Sequence, residues 1–161
     1  MAANLHRLGI ALNFRDDPRL RDTHVLNPRW ITEGIYRILN ATKLAQQKGV
    51  LRLADLVDIL DAKDYPQEKH FFLLDLMKKF ELCFEFPDDF EHRYLLPELL
   101  DKEEPDLKGE FKPEQCLNFE YDYNIVPEGL LPRFIVRTHV LSDTRPRWRS
   151  GVVLSGCVKT L

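Results

Sequence analysis

The chain has 161 residues, of which 44% are hydrophobic and 30% are charged, and its formal net charge is −3. This size and composition predict a soluble globular protein of one domain or two small ones, and no run approaches the ~18 consecutive apolar residues of a membrane span. The small negative charge provides no global attraction to nucleic acid or anionic lipid. Because MAANLHRLG lacks the apolar core of a signal peptide, we expect a cytoplasmic protein.

The N-terminal segment contains two apolar runs, LHRLGIALNF and HVLNP, on either side of an Asp-Pro turn in RDDPRLRDT. This pattern predicts a strand pair or a short helix that leads into a strand.

The segment NPRWITEGIYRILN predicts a helix. Asn27 can cap the free amides of the first turn, and Pro28 occupies a position whose amide would have no partner. Apolar residues recur at intervals of three and four, which predicts that one face is buried: Trp30, Ile31, Gly34, Ile35, Ile38 and Leu39.

The segment from Gly49 to Pro97 predicts a short strand, two helices and a hairpin. In VLRLADLVDIL a strand leads into a helix whose inward residues are Leu53, Leu56, Val57 and Leu60. A further helix runs from Asp64-Tyr65-Pro66 to about Phe80, and its apolar stripe comprises Phe71, Phe72, Leu73, Leu74, Leu76, Met77 and Phe80. ELCFEFPDDFEHRYLLP then predicts a two-stranded wing with Asp88-Asp89 at its tip, which completes the element order of a winged helix.

The charged stretch ELLDKEEPDLKGEFK is typical of a linker. Beyond it, CLNFEYDY alternates as a strand does, and a helix begins near Leu131, because Pro132 is tolerated only in a first turn. We expect Phe134, Ile135 and His139 to face inward, and WRSGVVLSGCVKTL to form two strands around Ser155-Gly156. The predicted fold is therefore α+β: a winged-helix-like subdomain over 1–100, a linker over 101–112, and a smaller α/β subdomain over 113–161 with an antiparallel or mixed sheet.

A winged helix suggests nucleic-acid binding, but the charges disfavour that alternative. Between Phe71 and Phe80 the polar residues are Asp75, Lys78 and Lys79 only, and residues 50–100 contain 12 acidic and 6 basic side chains. The tip at Asp88-Asp89 would repel phosphates. We expect instead a protein-contact module, in which the apolar helix packs against something else and the acidic wing suits a basic protein face.

No residue pattern predicts catalysis, a metal site or a cofactor site. The five histidines show no metal-ligand spacing, the chain has neither G-x-x-x-x-G-K-[ST] nor G-x-G-x-x-G, and the acidic pairs Asp16-Asp17 and Asp88-Asp89 are typical of turns. The cysteines, at positions 83, 116 and 157, lack C-x-x-C spacing, and we interpret them as buried small hydrophobic residues.

One basic patch is well defined. In TRPRWRSG the side chains of Arg145, Arg147 and Arg149 would project from one side of an extended segment, with Trp148 on the other. Two interpretations stay open: a solvated strand end whose tryptophan anchors the core, or a comb that binds carboxylates of a partner or a second copy.

The ordered motifs L-G-I-x-L-x-F, N-P-x-W, E-x-R-Y-L-L-P, P-E-G-L-L-P-R-F-I and W-R-x-G-V-V-L span nearly the whole chain. With them the chain resembles the COR domain (C-terminal of Roc) of Roco proteins. In that family COR follows a Ras-like GTPase domain called Roc, frequently behind leucine-rich repeats and sometimes ahead of a kinase.

The resemblance implies a regulatory module without catalytic activity, whose N-terminal half contacts Roc and whose sheet-containing C-terminal half forms a homodimer coupled to the nucleotide cycle. It implies that Tyr94 lies near the Roc contact; alternatively Tyr94 only fills the hairpin. From the acidic charge of the wing we expect Asp88 and Asp89 at the same contact. Arg145, Arg147 and Arg149 lie in the half used for self-association. GTP and Mg²⁺ would bind in the neighbouring Roc domain, and the apolar end at Leu161 suggests that the sheet continues further.

Overall fold

The computed structural model describes residues 12–13, 24–25, 27–87, 90–107, 120–142 and 146–154. At the N-terminus, β1 (Leu12–Asn13) pairs antiparallel with β2 (His24–Val25). Of the two interpretations of this segment, the strand pair is thus confirmed for these four residues.

Helix α1 (Pro28–Leu39) begins where the sequence predicts. The side chain of Asn27 accepts a hydrogen bond from the Trp30 amide at 3.4 Å, and Pro28 is the first helical residue. Ile31, Gly34 and Ile38 are buried, and the other predicted inward residues are partly buried, so the predicted face is confirmed. The short helix α2 (Thr42–Gln46) follows and buries Leu44.

Tyr65 packs against the buried face of α1. Its ring stacks on Trp30 with centroids 4.9 Å apart, and its hydroxyl donates to the Trp30 carbonyl at 3.0 Å. A Cβ atom on Gly34 would lie 2.7 Å from Cε1 of Tyr65, so only a glycine leaves room for the ring at this position of α1.

The central sheet has three antiparallel strands: β3 (Val50–Arg52), β4 (Phe84–Glu85) and β5 (Arg93–Leu95). Their order is β3-β5-β4, with Leu51 and Glu85 both opposite Tyr94. The predicted hairpin is therefore confirmed, and its second strand lies in the middle of the sheet.

The segments between β3 and β4 begin with 3₁₀ turns. The turn Leu53–Asp55 precedes α3 (Leu56–Ile59), and the turn Gln67–Lys69 precedes α4 (His70–Lys79). Leu56 and Leu60 are buried as predicted, but Val57 is 49% exposed, so that prediction was wrong. A 3₁₀ turn has three residues instead of 3.6, which rotates the following side chains away from the phase expected for a continuous α-helix.

Helix α4 lies in the middle of the core. Leu73, Leu74, Leu76 and Met77 have no exposed surface, whereas Phe71 and Phe80, predicted to face inward, are 47% and 42% exposed. The chain itself therefore covers the apolar stripe of α4, which corrects our expectation that this stripe packs against something else. The stripe packs into two clusters of buried side chains: Ile38, Leu44, Leu51, Leu56, Leu60, Tyr65, Leu73, Leu74, Met77, Cys83, Tyr94 and Leu96, and beside them Ile31, Phe72 and Leu76.

After the 3₁₀ turn Pro97–Leu99, residues 101–107 have no helix or strand, and most are exposed. This is the character expected of a linker, and residues 108–112 of the predicted linker lie outside the described residues. The division into 1–100, 101–112 and 113–161 stays a prediction.

The C-terminal part consists of α5 (Leu130–Ser142), β6 (Arg147–Trp148) and β7 (Gly151–Val152). Pro132 lies in the first turn and Ile135 is buried, as predicted, but Phe134 is 45% exposed. Residues 120–123 form no strand, and the final hairpin turns at Arg149-Ser150. The predicted turn at Ser155-Gly156 lies outside the described residues.

The structure confirms an α+β fold with small antiparallel sheets. None of the described helices is both long enough and apolar enough to cross a bilayer. Cys83 is buried, as we expected, and its burial raises the pKa of the thiol to about 12; Cys116 and Cys157 lie outside the described residues.

Candidate protein-contact site

Tyr94 is buried in the middle of the sheet. Only 1% of its surface is exposed, and Nζ of Lys78 lies 5.6 Å from the centre of its ring. Burial, together with the nearby charge of Glu85, raises the pKa of the Tyr94 hydroxyl. This position fits the interpretation in which the tyrosine fills the hairpin, and its role near a Roc contact stays a prediction. Asp88 and Asp89 lie outside the described residues.

A half-buried network of charges surrounds Tyr94. Nζ of Lys78 lies 3.0 Å from Asp75 and 2.9 Å from Glu85, and Glu85 also pairs with Nδ1 of His92 at 2.9 Å. Burial opposes ionisation of Glu85, but hydrogen bonds from His92 and Lys78 prevail and lower its pKa. Because Lys78 binds both carboxylates and His92 also binds Glu85, the network offers no open pair of acids for catalysis.

The described residues of the arginine patch bind this chain's own groups. Nε of Arg147 donates to Oγ of Ser142 at 2.9 Å, and its guanidinium lies 5.5 Å from the ring centre of Phe84. Arg149 pairs with the carboxylate of Glu98, and its amide donates to the Asp101 carbonyl at 2.8 Å. Arg145 lies outside the described residues. A partner-binding role for the three arginines stays a prediction, with Arg147 and Arg149 occupied inside the molecule.

These arginines lie where the C-terminal part packs against the N-terminal sheet. We call this region the junction, and its contacts form two layers. The inner layer is apolar: Phe84 and Leu95 pack against Ile135 and Val136 of α5. The outer layer is charged: Arg137 pairs with Glu81 at 2.7 Å, and Arg149 pairs with Glu98.

An apolar surface is left uncovered beside the junction. Nine of the fourteen large hydrophobic side chains that are exposed among the described residues lie between positions 121 and 141. We call them the C-terminal apolar surface: Tyr121, Tyr123, Ile125, Val126, Leu130, Leu131, Phe134, Val140 and Leu141. At 3.6 residues per turn, Leu130, Phe134 and Leu141 align on the side of α5 opposite the buried pair Ile135 and Val136.

The C-terminal apolar surface continues into a groove of about 540 Å³. Residues 126–132 form one side of the groove, and the ion pair of Glu98 and Arg149 forms the other. Sequence reasoning missed this surface because the alternation in FEYDY is typical of a half-buried strand. Large exposed apolar patches mark sites that bind protein or membrane. Among the described residues no group of histidines, cysteines and carboxylates could hold a metal ion.

Family models account for nearly the whole chain. The model "C-terminal of Roc, COR-A domain" matches residues 1–100, and "C-terminal of Roc, COR-B domain" matches residues 114–157. The chain belongs to the COR family. The resemblance inferred from its motifs is thereby confirmed, and COR-A and COR-B here denote these two matched ranges.

The chain spans only a small part of the length of the curated relatives that it matches. It is 31% identical over 166 residues to "Probable serine/threonine-protein kinase roco11" of Dictyostelium discoideum; this match covers 93% of the chain and 11% of the relative. It is 26% identical over 151 residues to a "Roc-COR-CHAT protease" of Runella zeae, covering 93% and 15%. It is 29% identical over 135 residues to "Leucine-rich repeat serine/threonine-protein kinase 1" of Mus musculus, covering 80% and 6%.

A solved structure is also similar to the COR chain. Roco2 RocCORdC of Methanosarcina barkeri, bound to GDP, is 47% identical with a TM-score of 0.54, and the match covers 60% of this chain and 30% of that one. Roc and COR are thus named together in the Runella protease and in the Methanosarcina structure. In the present chain the C-terminal apolar surface lies in COR-B, and the junction joins COR-B to the sheet of COR-A.

Proposed function

We propose that this COR module docks on the Roc GTPase domain of a Roco protein and pairs two copies of that protein through COR-B, so that it regulates the GTPase without catalysing a reaction itself. GTP and Mg²⁺ bind in Roc under this proposal, and the parent protein acts in the cytoplasm. The observation that carries the proposal is the C-terminal apolar surface, because nine exposed large apolar side chains within 21 residues are costly in water unless a partner covers them.

The relatives support a regulatory role. The Dictyostelium and mouse relatives are named as kinases and the Runella relative as a protease, while the COR region is what they share with this chain. A module common to proteins with different outputs fits the transmission of a state better than it fits chemistry. A Roc partner is supported by the RocCORdC structure, in which the two domains occur together.

We also propose that COR-A is winged-helix-like. The order of elements supports this: apart from the short α2, α1 is followed by β3, α3, α4 and the hairpin of β4 and β5, with β5 between the other two strands. The nucleic-acid alternative gains nothing from this likeness, because α4, which would have to enter a groove of DNA, is covered by the core.

Sedimentation and binding measurements test the proposal. We expect the chain to associate reversibly with itself and to bind the cognate Roc domain, loaded with GDP or a GTP analogue, in a pull-down. The double variant Leu130→Ser/Phe134→Ser should lose self-association, because it removes two apolar side chains from the exposed stripe of α5.

Phe90→Ser is the matched control, since Phe90 is 99% exposed but lies in COR-A. It should associate like the original chain. A chain that is monomeric at every concentration tested, and that binds Roc in neither nucleotide state, would show the proposal to be wrong. If Leu130→Ser/Phe134→Ser and Phe90→Ser lose self-association equally, COR-B is not the surface through which two copies pair.

A further inference from the structure

A second apolar depression lies on COR-A, away from the C-terminal apolar surface. It has a volume of about 410 Å³, and we call it the Phe71 groove. Its walls come from the turns around α3, the start of α4 and the loop of the hairpin: Leu53, Ala54, Val57, Gln67, His70, Phe71, Phe90, Glu91 and His92. The volume falls at the lower end of the range of about 300–1,000 Å³ typical of ligand sites, enough for one or two large side chains.

The apolar side chains of the groove face solvent although the core lies next to them. Phe90 is 99% exposed, Val57 is 49% exposed and Phe71 is 47% exposed. Sequence periodicity predicted that Val57 and Phe71 face inward, and Phe90 belongs to the apolar run after Asp88-Asp89. Phe71 lies in the depression, and Phe90 projects from the loop at its edge. Exposed aromatic side chains in such positions are typical anchors of protein interfaces.

Hydrogen bonds hold the walls of the Phe71 groove in place. The Leu53 amide donates to the His92 carbonyl at 3.1 Å, which joins the loop to the first helical turn. The His92 ring lies edge-on to Phe71 with centroids 5.5 Å apart, and Glu85 binds its other side through Nδ1. A groove formed in advance binds its partner with little loss of conformational entropy.

The form of the groove restricts what can occupy it. Its lining residues belong to helical turns and a loop, and none belongs to a described strand. An added strand would need the free backbone groups of a sheet edge, so binding must rely on side chains that enter the groove. A helix does this with apolar residues at i, i+3, i+4 and i+7.

The charges around the groove indicate which polar residues a bound helix should carry. The segments that line the groove, 52–71 and 90–92, contain six acidic and three basic residues. Glu68 directly follows the lining residue Gln67 and is exposed, as are Asp61 and Asp64, whereas Asp58 already pairs with Lys43 at 2.7 Å. We infer that the Phe71 groove binds an amphipathic basic helix of a partner protein, with apolar side chains between Val57, Phe71 and Phe90 and with Lys or Arg beside the carboxylates. This site is separate from COR-B and does not depend on the function proposed above.

The test uses the whole chain and a set of fluorescein-labelled helical peptides. Each peptide carries Leu or Phe at i, i+3 or i+4, and i+7, with Lys at the other exposed positions, and the set varies the apolar spacing. We expect saturable binding by fluorescence anisotropy, and chemical-shift changes in amide spectra confined to residues 53–57, 67–71 and 90–92. Peptides with Glu in place of Lys should bind about tenfold more weakly or worse, because the acidic surroundings repel them.

Variants separate the Phe71 groove from other apolar patches. Phe71→Ser and Phe90→Ser should each weaken binding by about tenfold or more, as loss of an aromatic anchor does. Phe134→Ser removes an equally exposed phenylalanine from COR-B and should leave binding unchanged. The inference is overturned if no peptide of the set binds, if scrambled peptides bind as well, or if the amide changes fall on α5. If Phe71→Ser loses self-association while Phe134→Ser keeps it, the groove binds a second copy of this chain instead of a partner protein.

Discussion

The imidazole of His139 on α5 stacks on the phenyl ring of Phe84 on β4, with centroids 4.4 Å apart and planes 20° from parallel. The guanidinium of Arg147 approaches the ring of Phe84 as well, at 5.5 Å from its centre. One side chain of COR-A thus contacts both the helix and the final hairpin of COR-B, and these contacts join the two parts.

Phe84→Ala should therefore destabilise the chain strongly. Phe84 is 3% exposed, and removing a buried phenyl group lowers the free energy of unfolding by about 3–5 kcal/mol. Urea unfolding followed by circular dichroism measures the change. Phe90→Ala, in the same hairpin but 99% exposed, should change the free energy of unfolding by less than about 0.5 kcal/mol. Equal effects of the two substitutions would contradict the packing described here.

Gly49 and Gly129 share a backbone conformation but differ in their surroundings. Both have φ of +78°, yet a Cβ on Gly49 would lie 2.6 Å from the Leu96 carbonyl oxygen, and one on Gly129 would meet nothing within 4 Å. Gly129→Ala should cost only the left-handed conformation, about 1–2 kcal/mol. Gly49→Ala should cost that amount and a further ~1–3 kcal/mol for crowding. Thermal or urea unfolding of the two variants gives the difference, and a Gly129→Ala cost as large as that of Gly49→Ala would disprove the close approach.

Asp55 should make stability depend on acidity. It is 6% exposed, binds Nζ of Lys43 at 2.8 Å and accepts the Arg52 amide at 3.0 Å. Burial alone would raise the pKa of this carboxyl, but the hydrogen bonds from Lys43 and Arg52 lower it below its ordinary value. Its ionised form thus stabilises the fold above the unfolded pKa of about 4, and that stability is lost as pH falls through the lowered folded pKa.

Asp55→Asn should accordingly lower the free energy of unfolding by about 1.5–3 kcal/mol at neutral pH, the usual value for a hydrogen bond to a charged group. The gap between variant and original chain should narrow as the pH falls from about 4 toward the lowered folded pKa, because the unfolded chain then takes up a proton that the folded carboxyl does not. Urea unfolding across pH 7 to 3 measures this, with the exposed Asp122→Asn as the control. A gap that stays constant over this range would rule out the ionised Asp55 as its source.

Arg147 and Arg149 should differ although they lie two residues apart. Arg147 binds Oγ of the fully buried Ser142 and covers Phe84, whereas the pair of Arg149 and Glu98 is exposed at 38% and 47%. Arg147→Ala should lower the free energy of unfolding by about 1–3 kcal/mol. Arg149→Ala should change it by less than about 1 kcal/mol, as is usual for surface ion pairs. The reverse order in urea unfolding would argue against the contacts seen at the junction.

Local signals predicted the elements that local chemistry determines. Asn27 and Pro28 mark the start of α1, and the apolar runs on either side of Pro-Asp-Asp mark the hairpin. The final turn was harder, because Ser-Gly occurs twice, at 150–151 and at 155–156, and both are equally good turn signals. The described hairpin uses the first Ser-Gly, with Trp148 opposite Gly151. Sequence periodicity does not show which strands pair, so it could not have selected this turn.

The candidate site was less predictable than the fold. Periodicity identifies apolar positions but does not tell which of them a chain covers, and Phe71, Phe134 and Tyr121 were all expected to be buried or half-buried. Their exposure depends on contacts between distant segments, such as the approach of α5 to the sheet. The arginines show the converse. Their alternation left open a solvated strand end or a comb for a partner's carboxylates, whereas in the structure Ser142 of α5 binds Arg147 and the distant Glu98 binds Arg149.

The central place of β5 determines when COR-A can become stable during synthesis. Strand β3 ends at Arg52, and its partner begins only at Arg93, so the earlier strand leaves the ribosome well before its neighbour exists. At ~5–20 residues per second, these forty intervening residues take a few seconds to be made. Until then the buried cluster that Leu51 shares with α4 lacks Tyr94 and Leu96, so we expect nascent chains of intermediate length to expose apolar side chains that chaperones bind.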